Sequence, residues 1–370
     1  MKILYITTIG LTMGFFNSFI RQLLDEGNDV EIATNETDAQ VPECYREWGC
    51  QIHPISCTRF PFDLGNMKAI SQIRRIVKEN GYDIVHCHTP IAAMCTRIAC
   101  RPLRKNGLKV FYTAHGFHFY DGAPLKNWLI YYPVEKWLSK YTDILITINK
   151  EDFRRATEKF HAKKTVYIPG VGVDTEKFAP RASGRERIRT ELELKDSDIM
   201  ILSVGELNEN KNHETVIRAI KGLNVTYVIA GKGEKQDKLE TIAKEYGVDL
   251  RLLGFRTDVS DIYDAADVFV LPSIREGLNV SLMEAMATGL SCAVSKIRGN
   301  TDLIEDETVL FDPLDKNGLR MAVKNAIEHR TKYGQKNLEK IRGFDIGAVR
   351  NLTDEIYMAG GGYRTSDRTA

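Results

Sequence analysis

Short β-rich runs alternate with segments of 3.6-residue apolar rhythm along nearly the whole chain. KILYITT opens it as a strand, followed by a glycine-bearing turn, a helix through NSFIRQLLDEG and a second strand, DVEIAT. A helix near 66–80 precedes the strand DIVHCHT, and a helix at about 91–105 precedes the strand KVFYTAHG. The second half repeats the theme, with strands at IMILSVGEL, TYVIAGKG, LRLLGF, DVFVLPS and SCAVSK. Helices are predicted between them at HETVIRAIKGL, KLETIAKEYG, VSDIYDAA and 281–288. This alternation predicts α/β architecture with parallel sheets covered by helices.

A chain of 370 residues exceeds what one core comfortably fills, so two domains are expected. TVYIPGVGVDTEKFAP at 165–180 carries two prolines and two glycines and reads as the hinge. The expected plan is a Rossmann-like domain over 1–168, a linker over 169–180 and a second Rossmann-like domain over 181–345. A helix at 346–359 is expected to pack back on the first domain, ahead of a frayed tail at 360–370. Two doubly wound domains facing each other across a cleft follow, with ligands at the carboxyl ends of the strands. The dinucleotide fingerprint GxGxxG is missing; the first strand is followed by GLTMG, with Gly10 and Gly14 four apart. That disfavours a nicotinamide dehydrogenase.

Composition narrows the class. Hydrophobic residues at 43% and charged residues at 27% describe a folded globular chain, not a disordered one. No apolar run reaches the length of a membrane span, and glycine and threonine interrupt the apolar start MKILYITTIGLTMGFF. Seven cysteines without CxxC spacing read as reduced thiols of a cytoplasmic protein. The net charge of +1 hides an asymmetry: residues 1–168 hold 22 Lys/Arg against 17 Asp/Glu, leaving 29 against 33 for the rest. Such a first half suits an anionic partner, although chance in surface charge explains it equally well. His86-Cys87-His88 has no second ligand pair at metal spacing, and Asp196-Ser197-Asp198 precedes a strand in a charged segment, so no metal is expected.

The most informative stretch is SIREGLNVSLMEAMATG, residues 273–289. Ser281 and Glu284 fit a capping box, with Gly289 as the helix end. That accounts for Glu284 by helix chemistry alone. It leaves unexplained Glu276 before the helix and Gly277 between that acid and the helix start. The amides of 278–281 at such a helix start are donors for an anion.

This stretch resembles the E-x7-E element of family 4 retaining glycosyltransferases, which have the GT-B fold. GVGVDTEKFAP is similar to their interdomain linker and SVGELNENKN to their phosphate loop; AGKGE, LLGF and DIYDAADVFVLPS follow in the family's order. The likeness covers nearly the whole chain and is most specific over about 169–300. It implies that Glu284 accepts hydrogen bonds from the ribose hydroxyls of a nucleotide sugar. Glu276 would face the transferred sugar and stabilise positive charge at the anomeric carbon. Lys211 would meet the diphosphate, with amides around Gly277, Leu278, Asn279 and Val280 sharing that charge. Gly205 opens the phosphate loop, and Gly254, Phe255 and Arg256 fall where the family holds the nucleobase; a solvent-facing arginine explains Arg256 equally well. From the first half, Gly14 matches the loop near phosphates or acceptor, and His115 a histidine near the donor sugar. His118 has proximity alone.

The family's arginine is replaced here by Glu206, so Lys211 needs help from Arg275, Arg298 or more amides. The resemblance implies no cofactor, a UDP-sugar as donor, and a glycan or polyprenyl-diphosphate-sugar as acceptor, as in capsular and exopolysaccharide synthesis. Arg97, Arg101, Arg104, Lys105 and Lys109, followed by the aromatic and lysine-bearing LKNWLIYYPVEKWLSKY, fit peripheral contact with an anionic membrane at its cytoplasmic face. Against this, the segment also reads as a helix buried on the sheet, and Pro133 interrupts any long amphipathic face. Rival functions are a UDP-sugar 2-epimerase of the same broad fold and a silent nucleotide-sugar-binding subunit, for which Glu206 is the best argument.

Overall fold

A computed structural model describes residues 1–37 and 39–361. The described residues divide into two compact units, one of those within Met1–Val171 and from Arg350 on, the other of Gly172–Val349. The expected tail from residue 362 onward lies outside the described residues.

The first unit is built on a parallel sheet of seven strands: β1 (Lys2–Ile9), β2 (Asp29–Asn35), β3 (Ile52–Pro54), β4 (Ile84–His88), β5 (Lys109–Ala114), β6 (Ile144–Thr147) and β7 (Lys164–Tyr167). Their order is β3-β2-β1-β4-β5-β6-β7. The second unit holds six: β8 (Met200–Val204), β9 (Thr226–Ala230), β10 (Asp249–Gly254), β11 (Val268–Leu271), β12 (Ser291–Ser295) and β13 (Leu310–Phe311), in the order β10-β9-β8-β11-β12-β13. Central strands such as IVHCH, TYVIA and SCAVS are buried throughout, because helices cover both faces of a doubly wound sheet. Strand order reverses between β1 and β4 and again between β8 and β11. A crevice opens at such reversals, beyond the carboxyl ends of the strands.

Three local readings are corrected. The GLTMG turn is a 3-10 helix, Gly10–Phe16. Pro133 does not interrupt its segment: the helix Leu125–Ser139 runs through it. That helix is anchored by the buried pair Arg97–Glu135, bidentate at 2.8 and 3.0 Å, with the Arg97 guanidinium 4.4 Å from the Tyr112 ring centre. Trp128, Tyr131 and Tyr132 pack on the core while Leu125, Leu129 and Trp137 stay exposed, so the helix has an apolar face on each side. The capping box is the third. Asn279, not Ser281, caps the helix Val280–Ala287, accepting from the Leu282 amide at 3.0 Å. The last helix, Ile346–Gly361, is sealed onto the first unit by Tyr357, whose hydroxyl lies 2.7 Å from Tyr5 Oη and 2.5 Å from His86 Nδ1.

Candidate donor site

In the second unit the segments after β8 and β11, either side of the strand-order reversal, supply the expected residues. Lys211 Nζ lies 2.7 Å from a carboxylate oxygen of Glu276, and both side chains are largely shielded from solvent. Beside them starts the helix Val280–Ala287. The amides of Leu278, Asn279, Val280 and Ser281 find no acceptor among the described residues. Four unpaired N–H groups, a helix N-terminus and a lysine are thereby set side by side, the kinds of donor that suit an anion.

Glycine contacts hold the loops this close. A Cβ on Gly231 would stand 1.8 Å from the Gly205 carbonyl oxygen, and one on Gly299 would stand 2.0 Å from the Gly277 carbonyl oxygen. The turn after β9 therefore packs backbone to backbone on the turn after β8, and the turn after β12 on the Glu276–Gly277 turn. Beneath Glu206, His213 forms a buried chain: its Nε2 lies 3.3 Å from the Glu206 carbonyl, its Nδ1 3.0 Å from Tyr227 Oη, and that hydroxyl 2.9 Å from Ser203 Oγ. Burial lowers the His213 pKa to about 4, so the ring is a neutral strut.

Glu284 sits one helical turn in, with Tyr263 Oη donating to its Oε2 at 2.9 Å. Burial pushes the carboxyl up to about 7, against the Tyr263 hydrogen bond and the Lys177 charge, both of which favour the ionised form. A carboxyl with one internal partner and a spare oxygen is equipped to accept hydroxyl donors. Of the two arginines proposed to compensate for Glu206, Arg298 is buried and donates from Nε to the Glu276 carbonyl at 3.2 Å, whereas Arg275 is exposed. The Glu206 carboxylate is itself exposed and accepts from Asn208 Nδ2 at 2.8 Å.

At the end of β10, Gly254 has φ 67° and bridges to Gly231, and Phe255 is 72% exposed. Arg256, in the same turn, is partly exposed. Its guanidinium pairs with Glu191 at 2.5 Å and Asp258 at 2.7 Å. A cavity of about 590 Å³ elsewhere in the unit, lined by Cys292, Tyr333 and Lys336 among others, contains none of the predicted residues.

In the first unit, His115 follows β5 and lies 3.2 Å from His88 at the end of β4. Burial lowers its pKa to about 4. Gly14 is exposed, and a Cβ on it would meet nothing closer than Pro42 Cγ at 3.9 Å. Gly10 is the sterically required one, with the Ala39 carbonyl oxygen 2.5 Å from its would-be Cβ. At the β1/β4 reversal a cavity of about 270 Å³ is lined by Thr12, Arg59, Thr89, His118 and Tyr131 among others. Phe60 and Phe62, on either side of the lining residue Pro61, are 74% and 88% exposed.

Residues 184–340 match the family described as glycosyl transferases group 1, and residues 2–149 match glycosyl transferase 4-like. The Bacillus subtilis (strain 168) protein EpsD, a glycosyltransferase by name, is 37% identical over 82% of this chain and 81% of its own length. This chain belongs to the family 4 glycosyltransferases. An Escherichia coli UDP-Gal:alpha-D-GlcNAc-diphosphoundecaprenol alpha-1,3-galactosyltransferase is 34% identical over 65% of each chain. Among solved structures, Anabaena HepE in complex with UDP superposes with a TM-score of 0.79 at 19% identity, covering 97% of this chain and all of that one. Sucrose-phosphate synthase from Thermosynechococcus elongatus gives the same score and identity, covering 97% and 98%. The fold of this glycosyltransferase is thus the two-domain GT-B type.

The structure gathers Gly205, Lys211, Glu276, Gly277, Leu278, Asn279, Val280 and Glu284 around one edge of the second sheet; Gly14 and His115 belong to the first unit. Sequence reasoning missed Tyr263, His213 and the buried role of Arg298. Tyr263 lies in view within DIYDAADVFV, but its reach to a residue 21 positions later is a tertiary fact.

Proposed function

We propose that this glycosyltransferase moves a hexose from a UDP-sugar to a polyprenyl-diphosphate-linked glycan, with retention at the anomeric carbon and without a metal ion, at the cytoplasmic face of the membrane. The observation that carries the reading is the Lys211–Glu276 pair beside four unpaired amides of the Val280–Ala287 helix start.

In this reading the diphosphate lies on those amides and draws Lys211 toward it, which frees the Glu276 carboxylate for the sugar. As the bond between the anomeric carbon and the diphosphate oxygen breaks, negative charge grows where the amides and Lys211 are fixed, and positive charge grows beside Glu276. Donors placed before the reaction stabilise that charge without reorganising. The acceptor hydroxyl forms the new bond on the same face and gives its proton to the departing phosphate oxygen. Glu284 takes the ribose hydroxyls, and His115 a sugar oxygen.

UDP is supported by the HepE complex and by the name of the Escherichia coli galactosyltransferase, which also names a diphosphoundecaprenol acceptor. Acceptor binding is assigned to the first unit, whose β1/β4 cavity has an arginine at its rim and exposed Phe60, Phe62 and Leu64 beside it. With Leu125, Leu129 and Trp137 exposed on a lysine-bearing helix, the same unit offers apolar and cationic groups to an anionic bilayer.

The test is incubation of the protein with radiolabelled UDP-sugars and a bacterial lipid extract, with and without EDTA. Elongated lipid formed equally in both, with the α-configuration of the donor kept in the product by NMR, is the expected result. Epimerised UDP-sugar without elongation would replace this reading by the 2-epimerase, and binding without turnover by the silent subunit.

A further inference from the structure

Three histidines meet at the carboxyl ends of β4 and β5, and they are not equivalent. His86 and His88 are 3% and 2% exposed, while His115 is half-buried. His86 is fully engaged, with Nδ1 on Tyr357 Oη at 2.5 Å and Nε2 on Thr113 Oγ1 at 2.8 Å. His88 is clamped in a ring stack: Tyr5 lies 5.3 Å away at 18°, Phe16 at 4.2 Å and His86 at 4.2 Å between ring centres. Its Nδ1 faces His115 Nε2 at 3.2 Å, and its Nε2 is buried with no hydrogen-bond partner. The remaining nitrogen of His115, Nδ1, has no protein partner among the described residues.

Burial lowers the pKa of His86 to about 3 and of His115 to about 4, and that of His88 well below its usual value. Each ring is therefore neutral near pH 7 and carries one N–H. Across the His88–His115 contact one ring must donate and the other accept. Were His115 the donor, the single proton of His88 would sit on Nε2, leaving a buried N–H with nothing to receive it. With His88 as donor through Nδ1, the unpaired Nε2 is a bare lone pair. As with backbone groups, a buried N–H without a partner is the rarer defect. The ring stack prevents His88 from turning to escape the choice.

We propose that His88 is a positioning residue, donating from Nδ1 to His115 Nε2 and thereby fixing His115 as the tautomer whose free Nδ1 carries the proton and donates to a sugar oxygen. Its catalytic consequence rests on the reading of His115 as a sugar-contacting residue; the tautomer itself does not. A His115 held this way cannot serve as a base through Nδ1.

The direct measurement is a long-range ¹H–¹⁵N correlation spectrum of the full-length protein labelled at histidine, with His115 assigned by comparison with His115→Gln. A protonated Nδ1 and bare Nε2 on His115 are expected, and the reverse pattern overturns the proposal with no variant of His88 needed. In turnover assays His88→Phe keeps the ring stack and removes the donor, while His88→Asn keeps an N–H near the Nδ1 position. His88→Phe should lower kcat roughly tenfold with KM for the UDP-sugar nearly unchanged, and His88→Asn should recover most of that loss. Equal loss in both variants at unchanged melting temperature, or wild-type kcat in His88→Phe, overturns the donor role. Full activity in His115→Ala would remove the functional reading of His115 while leaving the spectrum as predicted, so the two failures are told apart.

Discussion

At the carboxyl ends of β4 and β5 the first unit gathers His86, His88 and His115 with Tyr5, Phe16 and Tyr357, whereas at the ends of β8 and β11 the second gathers Lys211, Glu276, Arg298 and a row of peptide N–H groups. Both lie at reversals of strand order in parallel sheets, where the fold leaves a crevice. The chemistry differs because the burial differs. Aromatic packing on the first edge drives every titratable ring to its neutral form, so that edge offers hydrogen-bond direction without charge. On the second edge glycine contacts bring backbone loops together, and charge is kept by pairing it. A topological position thus supplies a place for a ligand, and the side chains lining it decide whether the place recognises charge or hydroxyls.

Substitutions on the ionic edge sharpen the contrast, and Glu276→Gln should have the largest effect. It keeps size and hydrogen bonding but removes the charge, so turnover should fall by about a hundredfold or more while UDP affinity is largely kept, as measured by radiolabel transfer and calorimetry. Near-normal turnover would remove Glu276 from the reacting centre. Next comes Lys211→Met, which takes the cation from the diphosphate and the partner from Glu276; UDP binding should weaken by about 1.5–3 kcal/mol, the scale of a hydrogen bond to a charged group. Glu284→Ala should weaken UDP binding by a similar or smaller amount. Because Asn279 provides the cap, this loss should come without the stability cost of a broken helix start; intact affinity with a lowered melting temperature would return Glu284 to a purely structural role.

A smaller effect is a pH dependence. The Glu284 carboxyl titrates near 7 in the folded protein, above its ordinary value of 4.5, so the folded state holds the proton more tightly than the unfolded state does. Its contribution to stability is therefore greatest below about 4.5 and is lost as pH rises toward 7. Ribose hydroxyls donating to the carboxylate favour the ionised form, so UDP affinity should rise between about pH 6 and 8 with proton release. Calorimetry in buffers of different ionisation enthalpy reads this, and Glu284→Gln should abolish it. The smallest effect belongs to Asn279→Ala, expected to cost about 1 kcal/mol of stability from the lost cap, measured by denaturant unfolding.

Much of this architecture is legible in the amino-acid sequence. Alternating strands and helices, and glycines set where loops must approach, are local signals; they place Lys211, Glu276, Asn279 and Glu284 at strand ends and a helix start. The cap itself falls two residues from where the capping-box pattern puts it, since Asn279 and Ser281 are both good caps and the choice depends on where the chain leaves the strand. Arg256 reads equally as a base-binding or a solvent-facing residue, and its pairing with Glu191, 65 positions away, leaves no local trace.

The division has a physical basis. Periodicity and turn chemistry act between near neighbours, so the sequence by itself determined that two parallel sheets form and that the SVGELNENKN and E-x7-E stretches follow strands; the strand-order reversal they flank is tertiary. Protonation and pairing depend on groups brought together from far along the chain. Tertiary structure alone decided that Glu284 meets Tyr263, that Lys211 pairs with Glu276 and that His88, 27 residues before His115, lies 3.2 Å from that ring.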